Sequence, residues 1–383
     1  WLLIDEAAAI PAPLLQRLIR YFPRVLLTTT VQGYEGTGRG FLLKFCASLP
    51  DACFWTLDAP LRWAQQDPLE SIIDACLLFD EGGSGEVAGE PVFQSFEPAD
   101  WQTQPQQLTA LYQLLVSAHY RTSPLDLRRM MDAEGMHFLA AHCQQQICAA
   151  LWLVDEGGLS AELAAAVWAG KRRPRGNLVA QSLAAHAGLA EAAQLRSRRI
   201  SRIAITPQQR RQGLGRQLIK QSLSSTSGLD FLSVSFGYTD ELWQFWQACG
   251  FQLVRIGSQR EASSGCYAAM ALLPLSPAGA ALTARAVKRL ARDYRWLKQR
   301  IDQCVAIEID TQQSFNEDDW QEVAGFAFAF RPLEAAGAAL ASLLSLSTLT
   351  LPALRGSIIQ CLSDAELCQQ LGLPGRKSLM QRW

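Results

Sequence analysis

Short apolar runs alternate with amphipathic stretches from the first residue of the chain. Trp1–Ile4 and Val25–Thr29 are strand-like, and Leu14–Tyr21 between them has helical spacing. Apolar positions at a period of two indicate strands, and positions three and four apart indicate helices. This alternation predicts an α/β unit that ends near the Gly-rich loop Glu81–Glu86.

A second α/β unit is predicted from about residue 95 to residue 275. Its predicted helices are Pro105–Ser117, Leu125–Met131, Gly176–Gly188 and Asp240–Cys249. Its predicted strands are Met136–Ala141, Ile147–Asp155, Phe231–Phe236, Phe251–Ile256 and Tyr267–Leu272. After the break at Pro274–Pro277 the pattern is helical over Ala284–Ala306, Glu317–Phe328, Leu333–Leu346, Leu354–Leu362 and Asp364–Leu371.

The strongest chemical signal is a strand, a loop and a helix between Ile203 and Ile219. Thr206–Pro207 breaks the strand, and Gly213 and Gly215 open the helix with several arginines around them. Glycines at this junction let backbone N–H groups approach a ligand, and the positive end of the helix suits a pyrophosphate. A Rossmann-type site is disfavoured because no Gly-x-Gly-x-x-Gly is present. The segment resembles the acetyl-coenzyme A loop of the Gcn5-related N-acetyltransferases.

The first apolar strand ends in Asp5 and Glu6, and the next strand is followed by a Thr-rich, Gly-rich loop over 28–40. Carboxylates at a buried strand tip suit Mg²⁺ and water in an NTPase of the RecA kind. A strand end with a helix-capping Asp is the alternative. Because no phosphate-cradling Gly-x-x-x-x-Gly-Lys loop precedes Asp5, we expect the chain to be a fragment whose N-terminal part is missing.

Cationic residues form three clusters, although the net charge of the 383 residues is only −1. Arg196–Arg202 leads into the acetyl-CoA strand. All three clusters fit phosphate contacts to a structured RNA, and the residues we assign to these contacts are Lys171, Arg172, Arg173, Arg175, Arg285, Lys288, Arg289 and Arg292. The last four fall three or four residues apart and predict one helix face, with Asp293 as the only opposing charge. A solvated surface helix is the alternative.

The overall composition is that of an ordinary globular protein, with 49% hydrophobic and 19% charged residues. The ten cysteines include no Cys-x-x-Cys pair, so we expect reduced cytoplasmic thiols, no zinc site and no disulfide framework. The charge-free stretch Ala335–Leu354 is long enough for a membrane span, but its Ser, Thr, Gly and Pro content favours buried helices. We therefore expect no membrane partner and no metal in the acetyltransferase site.

Taken together, the motifs resemble the bacterial tRNA(Met) cytidine acetyltransferase family. The matching stretches include Asp5–Pro11, Gln32–Phe41, Leu61–Ala64, Arg121–Arg128, Leu151–Leu159, Arg173–Leu178, Ser233–Tyr238 and Arg260–Cys266. The resemblance implies a RecA-like helicase module over 1–90, an N-acetyltransferase domain with a mixed central sheet over 91–275 and a helical tRNA-binding tail over 276–383. It also implies acetyl transfer from acetyl-CoA to N4 of the wobble cytidine of elongator tRNA(Met), with hydrolysis of ATP or GTP and Mg²⁺.

The resemblance also assigns site residues. The implied acetyl-CoA contacts are Ile203, Ala204, Ile205, Arg210, Arg211, Gln212, Gly213, Leu214, Gly215, Arg216 and Glu241. The implied nucleotide contacts are Asp5, Glu6, Gln32, Arg39 and Arg62. The family often has a basic residue at the position of Ala248, so one coenzyme contact is in doubt. For the catalytic base, His186 and Glu241 are both candidates, and water is a third.

Two other functions fit the same residues. One is a protein or small-amine acetyltransferase with a regulatory NTPase, for which no basic surface is needed. The other is an RNA-remodelling protein whose acetyltransferase domain only binds coenzyme. No protein partner is predicted.

Overall fold

The computed structural model describes residues 1–30, 41, 45–49, 52–57, 59–78, 89–117, 124–144, 146–261, 264–309 and 315–383. Its contacts group into two compact units. The first comprises Trp1–Val154, Ile200–Ser227 and Arg260–Cys266. The second comprises Asp155–Arg199, Gly228–Gln259 and Tyr267–Trp383.

The described strands form two sheets. The strands are β1 (Leu2–Ile4), β2 (Val25–Leu27), β3 (Val92–Phe96), β4 (Met136–Cys143), β5 (Gln146–Gly157), β6 (Arg196–Ile205), β7 (Phe231–Gly237), β8 (Gln252–Arg260) and β9 (Tyr267–Pro274). β1 and β2 pair in parallel, with Ile4 opposite Leu27. The other seven strands have the order β3-β4-β5-β6-β7-β9-β8.

The longer helices of the described residues lie between and after these strands. They are α1 (Ala12–Ile19), α2 (Pro68–Leu77), α3 (Pro105–Ser117), α4 (Pro124–Asp132), α5 (Ala161–Trp168), α6 (Leu178–Ala187), α7 (Leu214–Ser222), α8 (Asp240–Ala248), α9 (Pro277–Leu297), α10 (Glu317–Phe328), α11 (Leu333–Leu346), α12 (Pro352–Ile358), α13 (Asp364–Gln370) and α14 (Arg376–Met380). The predicted α/β class, with a central sheet and a helical C-terminal region, is confirmed.

The core of the first unit packs α3 and α4 against the β3-β4-β5 meander. Phe96, Phe138 and Trp152 occupy successive register positions across the three strands, and all are buried. Leu111 and Met130 reach the same cluster from the two helices. Antiparallel pairing with β4 holds β5 in place. The loop after β6 attaches near the start of β5.

Several hydrophobic cores lie in the second unit. In one, residues of α6 and α9 pack against β7, β8 and β9 through Leu183, Leu282, Phe231, Val254 and Leu272. In another, helices α11 and α12 bury Leu340, Leu344 and Ile358. A Cβ on Gly279 would lie 1.9 Å from the carbonyl oxygen of Asp230. Only glycine therefore lets the first turn of α9 lie this close to the backbone of Asp230.

The predicted bounds of α3, α10 and α11 are confirmed, but the prediction for α9 is wrong. The helix spans Pro277–Leu297, not Ala284–Ala306. It starts early because Ser276 caps it, accepting the Gly279 N–H at 3.0 Å, with Pro277 in the first turn. Strand β3 and helix α5 were not predicted. Within the described residues, no helix is both long and apolar enough to cross a membrane.

Candidate functional site

The loop between β6 and α7 is built from backbone contacts. The Thr206 N–H donates to the Cys148 carbonyl at 2.9 Å, which ties the end of β6 to β5. The Arg210 Nε donates back to the Ile205 carbonyl at 3.1 Å. Arg211 and Gly213 have positive φ angles of 61° and 83°, so the chain turns sharply before the helix. This geometry brings the last residues of β6 close to the first turn of α7.

The first turn of α7 presents its N–H groups without a side-chain cap. Gly213 is the N-cap residue and has no side chain, and a Cβ built there would meet nothing within 4 Å. Leu214, Gly215 and Leu218 are buried on the inner face of the helix. Arg210, Arg211, Gln212 and Arg216 are exposed around its positive end. Open space, unpaired first-turn donors and nearby cations fit a pyrophosphate, so these residues fit acetyl-CoA.

The strand residues assigned to the coenzyme differ in exposure. Ala204 is buried in the core with Phe138 and Trp152, whereas Ile203 and Ile205 are half-buried. The methyl group of Ala204 therefore fills the core and leaves only its backbone for a ligand.

Glu241 lies in the first turn of α8. Thr239 caps this helix, its Oγ accepting the Leu242 N–H at 3.2 Å, and Glu241 is exposed. Trp243, on the same helix, is only 8% exposed and belongs to the core. Ala248, on the last turn, is exposed and lacks the cation that the family pattern often has there.

His186, on the last turn of α6, lines a crevice of about 80 Å³ within the second unit. Arg255, Asp293 and Trp296 line it as well. Packing of protein atoms around the ring, helped by the guanidinium groups of Arg255 and other arginines, lowers the pKa of His186 to about 4. The imidazole is therefore neutral at neutral pH and can accept a proton, although its basicity is weak.

The residues expected to hold a nucleotide are only partly described. Asp5 follows β1, and its Oδ1 accepts the hydroxyl of Thr28, at the end of the parallel strand β2, at 2.5 Å. Glu6 adopts a left-handed conformation with a φ of 51° just after Asp5. Arg62 is exposed. Gln32 and Arg39 lie outside the described residues, as does the predicted boundary loop Glu81–Glu86.

Three family models match consecutive parts of the chain. The helicase domain of the RNA cytidine acetyltransferases NAT10/TcmA matches residues 1–80. A GNAT acetyltransferase model matches residues 110–225 and 217–276, and a tRNA-binding domain model matches residues 279–383. The chain is 56% identical over 405 residues to the tRNA(Met) cytidine acetyltransferase TmcA of Pectobacterium atrosepticum, which covers 100% of the chain. It is 57% identical over 381 residues to the TmcA of Citrobacter koseri, which covers 99% of the chain.

The chain belongs to the tRNA(Met) cytidine acetyltransferase family. It spans 58% of the length of the Pectobacterium relative and 57% of the Citrobacter relative. Among solved structures, the ribosomal-protein-S18-alanine N-acetyltransferase from Escherichia coli matches 49% of the chain and 95% of its own, with 15% identity and a TM-score of 0.33. A Bacillus subtilis acetyltransferase in complex with CoA matches 49% of the chain with a TM-score of 0.31.

In this family member, the basic cluster Arg196–Arg202 is not a free cationic surface. It forms the first part of β6, and three of its four arginines are paired with carboxylates. Arg198 pairs with Asp155, Arg199 with Glu156 and Arg202 with Asp126, each at 2.6 Å. The interpretation of this cluster as an RNA-binding patch is therefore wrong for these three arginines.

The predicted basic face of α9 also needs correction. Arg289 is buried against Glu322 at 2.7 Å, and Arg292 pairs with Asp319 at 2.7 Å and with Asp293. Their charges are therefore matched inside the protein, and we withdraw both from the proposed RNA surface. The exposed cations of this helix are Arg285, Lys288 and Arg295, and the exposed Lys298 follows it directly. Arg285 also contacts Glu191 at 2.7 Å. The sequence could not reveal Asp319 and Glu322 as partners, because they belong to another helix.

The cluster Lys171–Arg175 does lie at the surface, since its four cationic residues are all exposed. The turn that carries it is fixed by two N–H groups, of Lys171 and Arg172, that donate to the Ala166 carbonyl at 2.9 and 3.2 Å. These residues retain their prediction as phosphate contacts.

Sequence reasoning missed Glu156, at the end of β5. Its buried carboxylate accepts the N–H groups of Leu178, Val179 and Ala180 and pairs with Arg199. It thereby caps α6, the helix that carries His186, from a neighbouring strand. An acidic residue ending an apolar run was the only available signal. Among the described residues, no cluster of three or more His, Cys, Asp or Glu side chains could hold a metal ion.

Proposed function

We propose that this chain is the acetyl-CoA-binding and tRNA-binding part of an enzyme that acetylates N4 of the wobble cytidine of elongator tRNA(Met). In the longer protein, hydrolysis of ATP or GTP with Mg²⁺ would accompany the transfer, in the bacterial cytoplasm. The observation that carries the proposal is the strand–loop–helix from Ile203 to Arg216, with its uncapped helix N-terminus beside exposed arginines. When bound there, acetyl-CoA supplies an activated acetyl thioester.

The acceptor is proposed from the relatives and from the cationic surfaces. The curated relatives carry the name tRNA(Met) cytidine acetyltransferase, and residues 279–383 match a tRNA-binding domain. Exposed cations at Lys171–Arg175 and on α9 suit the phosphates of a structured RNA. A peptide or polyamine acceptor would gain nothing from such surfaces.

The chemistry assigns tasks to residues of this chain. The exocyclic amine of cytosine is a poor nucleophile, because its lone pair is delocalised into the ring. The site must hold it close to the acyl group, stabilise an oxyanion and remove a proton. We assign the oxyanion contact to backbone N–H groups at the end of Ile203–Ile205. The neutral imidazole of His186 and the carboxylate of Glu241 are the candidate proton acceptors, and water is the third.

The nucleotide half of the reaction is assigned to residues 1–80. Asp5 and Thr28 meet at the ends of two parallel strands, where a RecA-like module holds Mg²⁺ and phosphates. We propose that Asp5, Glu6, Gln32, Arg39 and Arg62 act there together with residues of the longer relatives that this chain does not span. Opening the stack around an anticodon base costs a few kcal/mol. The role we assign to the RecA-like module is to deform or position the RNA so that this base can leave its stack.

The coenzyme site is tested by titration calorimetry of acetyl-CoA into the chain. A Gly215→Glu substitution puts a side chain and a negative charge at the buried start of α7 and should abolish binding. Gln221→Glu, near the end of the same helix, is a matched control that adds the same charge away from the loop. Loss of binding in both variants, or in neither, would contradict the assignment.

The acceptor is tested by mass analysis of nucleosides. The longer protein is incubated with acetyl-CoA, ATP and tRNA, and the RNA is digested. N4-acetylcytidine confined to elongator tRNA(Met) is the expected product. Acetylated polyamine or peptide without acetylcytidine would favour the small-amine or protein acetyltransferase instead.

A further inference from the structure

Two phenylalanine side chains stand in solvent where α10 ends. Phe328 is 91% exposed and Phe330 is 73% exposed. They are separated by Ala329, whose backbone is extended with a φ of −122°. Isolated exposed apolar residues are ordinary, but two aromatic side chains this close together and this exposed indicate a surface that contacts a partner.

The segment that carries Phe330 is joined to the end of α5. The Phe330 N–H donates to the Ala169 carbonyl at 2.9 Å, and the Arg331 Nη1 donates to the Trp168 carbonyl at 2.7 Å. A Cβ on Gly170 would lie 2.4 Å from the Phe330 carbonyl oxygen, so the two backbones are in direct contact. The next residue after Gly170 is Lys171, so Phe330 adjoins the basic cluster, and Phe328 lies two residues before Phe330 in the chain.

The basic cluster itself is not neutralised. Lys171, Arg172, Arg173 and Arg175 are exposed, and they form no ion pair within the described part of the chain. One guanidinium nitrogen of Arg173 donates to the Val167 carbonyl at 3.0 Å, which holds it beside the turn. The cluster as a whole places four positive charges beside the segment that carries the two phenylalanines.

The support beneath this surface is rigid. The guanidinium of Arg331 is fully buried, donates to Glu322 and lies 4.7 Å from the centre of the Trp168 ring. A third contact runs from Arg331 to the Ala184 carbonyl at 3.4 Å. Because this residue directly follows Phe330, the backbone that presents the phenyl ring is fixed before any partner binds, which lowers the entropy cost of binding.

Aromatic rings beside uncompensated cations have the chemistry of a site for unpaired nucleotides. Bases stack on the rings while phosphates contact the cations, and neither contact depends on sequence. A second copy of the chain is a poorer occupant, because a two-fold contact would bring the same four cations face to face. Charge complementarity thus favours a polyanion with exposed bases.

We propose that Phe328 and Phe330 stack on unpaired bases of the RNA substrate, whose backbone runs along Lys171–Arg175. The inference rests on the proposed function and names the surface that receives the single-stranded part of the RNA. This surface combines residues from the acetyltransferase-matched region with residues from the tRNA-binding-matched region. Neither region alone contains both the rings and the adjoining cations.

The test measures binding of an RNA hairpin with the anticodon-arm sequence of elongator tRNA(Met), carrying 2-aminopurine in its loop, to the whole chain. Replacing both Phe328 and Phe330 by serine should weaken Kd by roughly 5- to 150-fold for each base that loses its stacking. The fluorescence quenching of 2-aminopurine should be lost as well. Leu349→Ser is the matched control, since Leu349 is a 64% exposed apolar residue elsewhere on the same unit. It should leave both signals unchanged.

Substitution by other residues separates stacking from simple apolar contact. Tryptophan at both positions should retain the affinity, whereas leucine should reduce it. By contrast, Lys171→Gln combined with Arg172→Gln should lower the slope of log affinity against log salt by about 2, which the serine variants should not do.

The outcomes distinguish this inference from the proposed function. If the unchanged chain binds no RNA, the proposed acceptor fails. If the chain binds RNA and the serine variants bind equally well, or leucine fully replaces phenylalanine, the stacking surface is wrong while the function stands. Conversion of a dimer to a monomer by the serine substitutions in sedimentation experiments would overturn it too, since a second copy would then be the occupant.

Discussion

At the scale of single residues, the backbone dictates which positions of the coenzyme loop can vary. Gly213 has a φ of 83° with open space where a Cβ would lie, so conformation and not crowding selects glycine there. Arg211 has a φ of 61° without being glycine, and it stores some strain at the same loop. A positive φ in a loop that receives a ligand is typical of functional sites.

Gly213→Ala should destabilise the protein by about 1 kcal/mol, because alanine resists the left-handed region. Gly213→Asn should cost less, since asparagine tolerates that region. Urea unfolding of both variants measures the difference. Equal stability of the alanine variant and the unchanged chain would show that the loop adopts another conformation.

The lowered pKa of His186 makes the stability of the protein depend on pH. Between pH 6.5 and about pH 4 the unfolded chain binds a proton on this side chain that the folded chain does not. The free energy of unfolding is therefore not reduced by His186 above pH 6.5, and it decreases as the pH drops from 6.5 toward 4.

His186→Gln should remove this dependence. The free energy of unfolding of the variant, relative to the unchanged chain, should be higher at about pH 5 than at about pH 7. Urea unfolding at the two pH values measures it. A difference that does not change with pH would mean that the imidazole titrates normally in the folded protein.

At the scale of elements, a network of charges joins the helices of the second unit. Glu322 of α10 contacts both Arg331 and Arg289, and its side chain is only 2% exposed. Asp319, one turn earlier, holds Arg292 of α9. Each guanidinium has a carboxylate, so the buried charges are tolerated as long as every partner is present.

Glu322→Gln should destabilise the fold by about 3–5 kcal/mol, because it leaves the buried guanidinium of Arg331 without its counter-charge and removes the nearer of the two carboxylates beside Arg289. Glu317→Gln, an exposed position on the same helix, should cost under about 1 kcal/mol. Thermal or urea unfolding of the pair checks the prediction. Similar small losses in both would mean that water or another carboxylate replaces Glu322.

The exposed and paired cations of α9 should behave differently toward RNA. Lys288→Gln should lower the salt slope of tRNA binding by about 1 without affecting stability. Arg289→Gln should destabilise the fold and leave the salt slope unchanged. A salt slope that changes with Arg289 and not with Lys288 would restore the face predicted from the sequence.

At the scale of the whole molecule, local patterns predicted most of the elements and the strand–loop–helix around Gly213 well. The strand, glycines and amphipathic helix around Gly213 are adjacent in the chain, so their geometry follows from nearby residues. The bounds of α3, α10 and α11 were also predicted correctly from the sequence, because the apolar residues of these helices recur at clear helical spacing. The charge pairs could not be predicted from the sequence. The carboxylates that pair with Arg198, Arg202 and Arg289 belong to distant elements, so these arginines look like free cations in the sequence. The division at residues 90 and 275 stays a prediction.

The contacts of Arg331 also bear on how such a chain can be inherited. Its side chain reaches the carbonyl groups of Trp168 and Ala184, in the region that matches acetyltransferases, from within the region that matches tRNA-binding domains. A gene rearrangement that exchanged the C-terminal segment alone would leave those two carbonyl groups without their hydrogen-bond donor. The two segments should therefore be inherited together. Natural chimaeric proteins of this family should have their junction at a position other than the neighbourhood of residue 277.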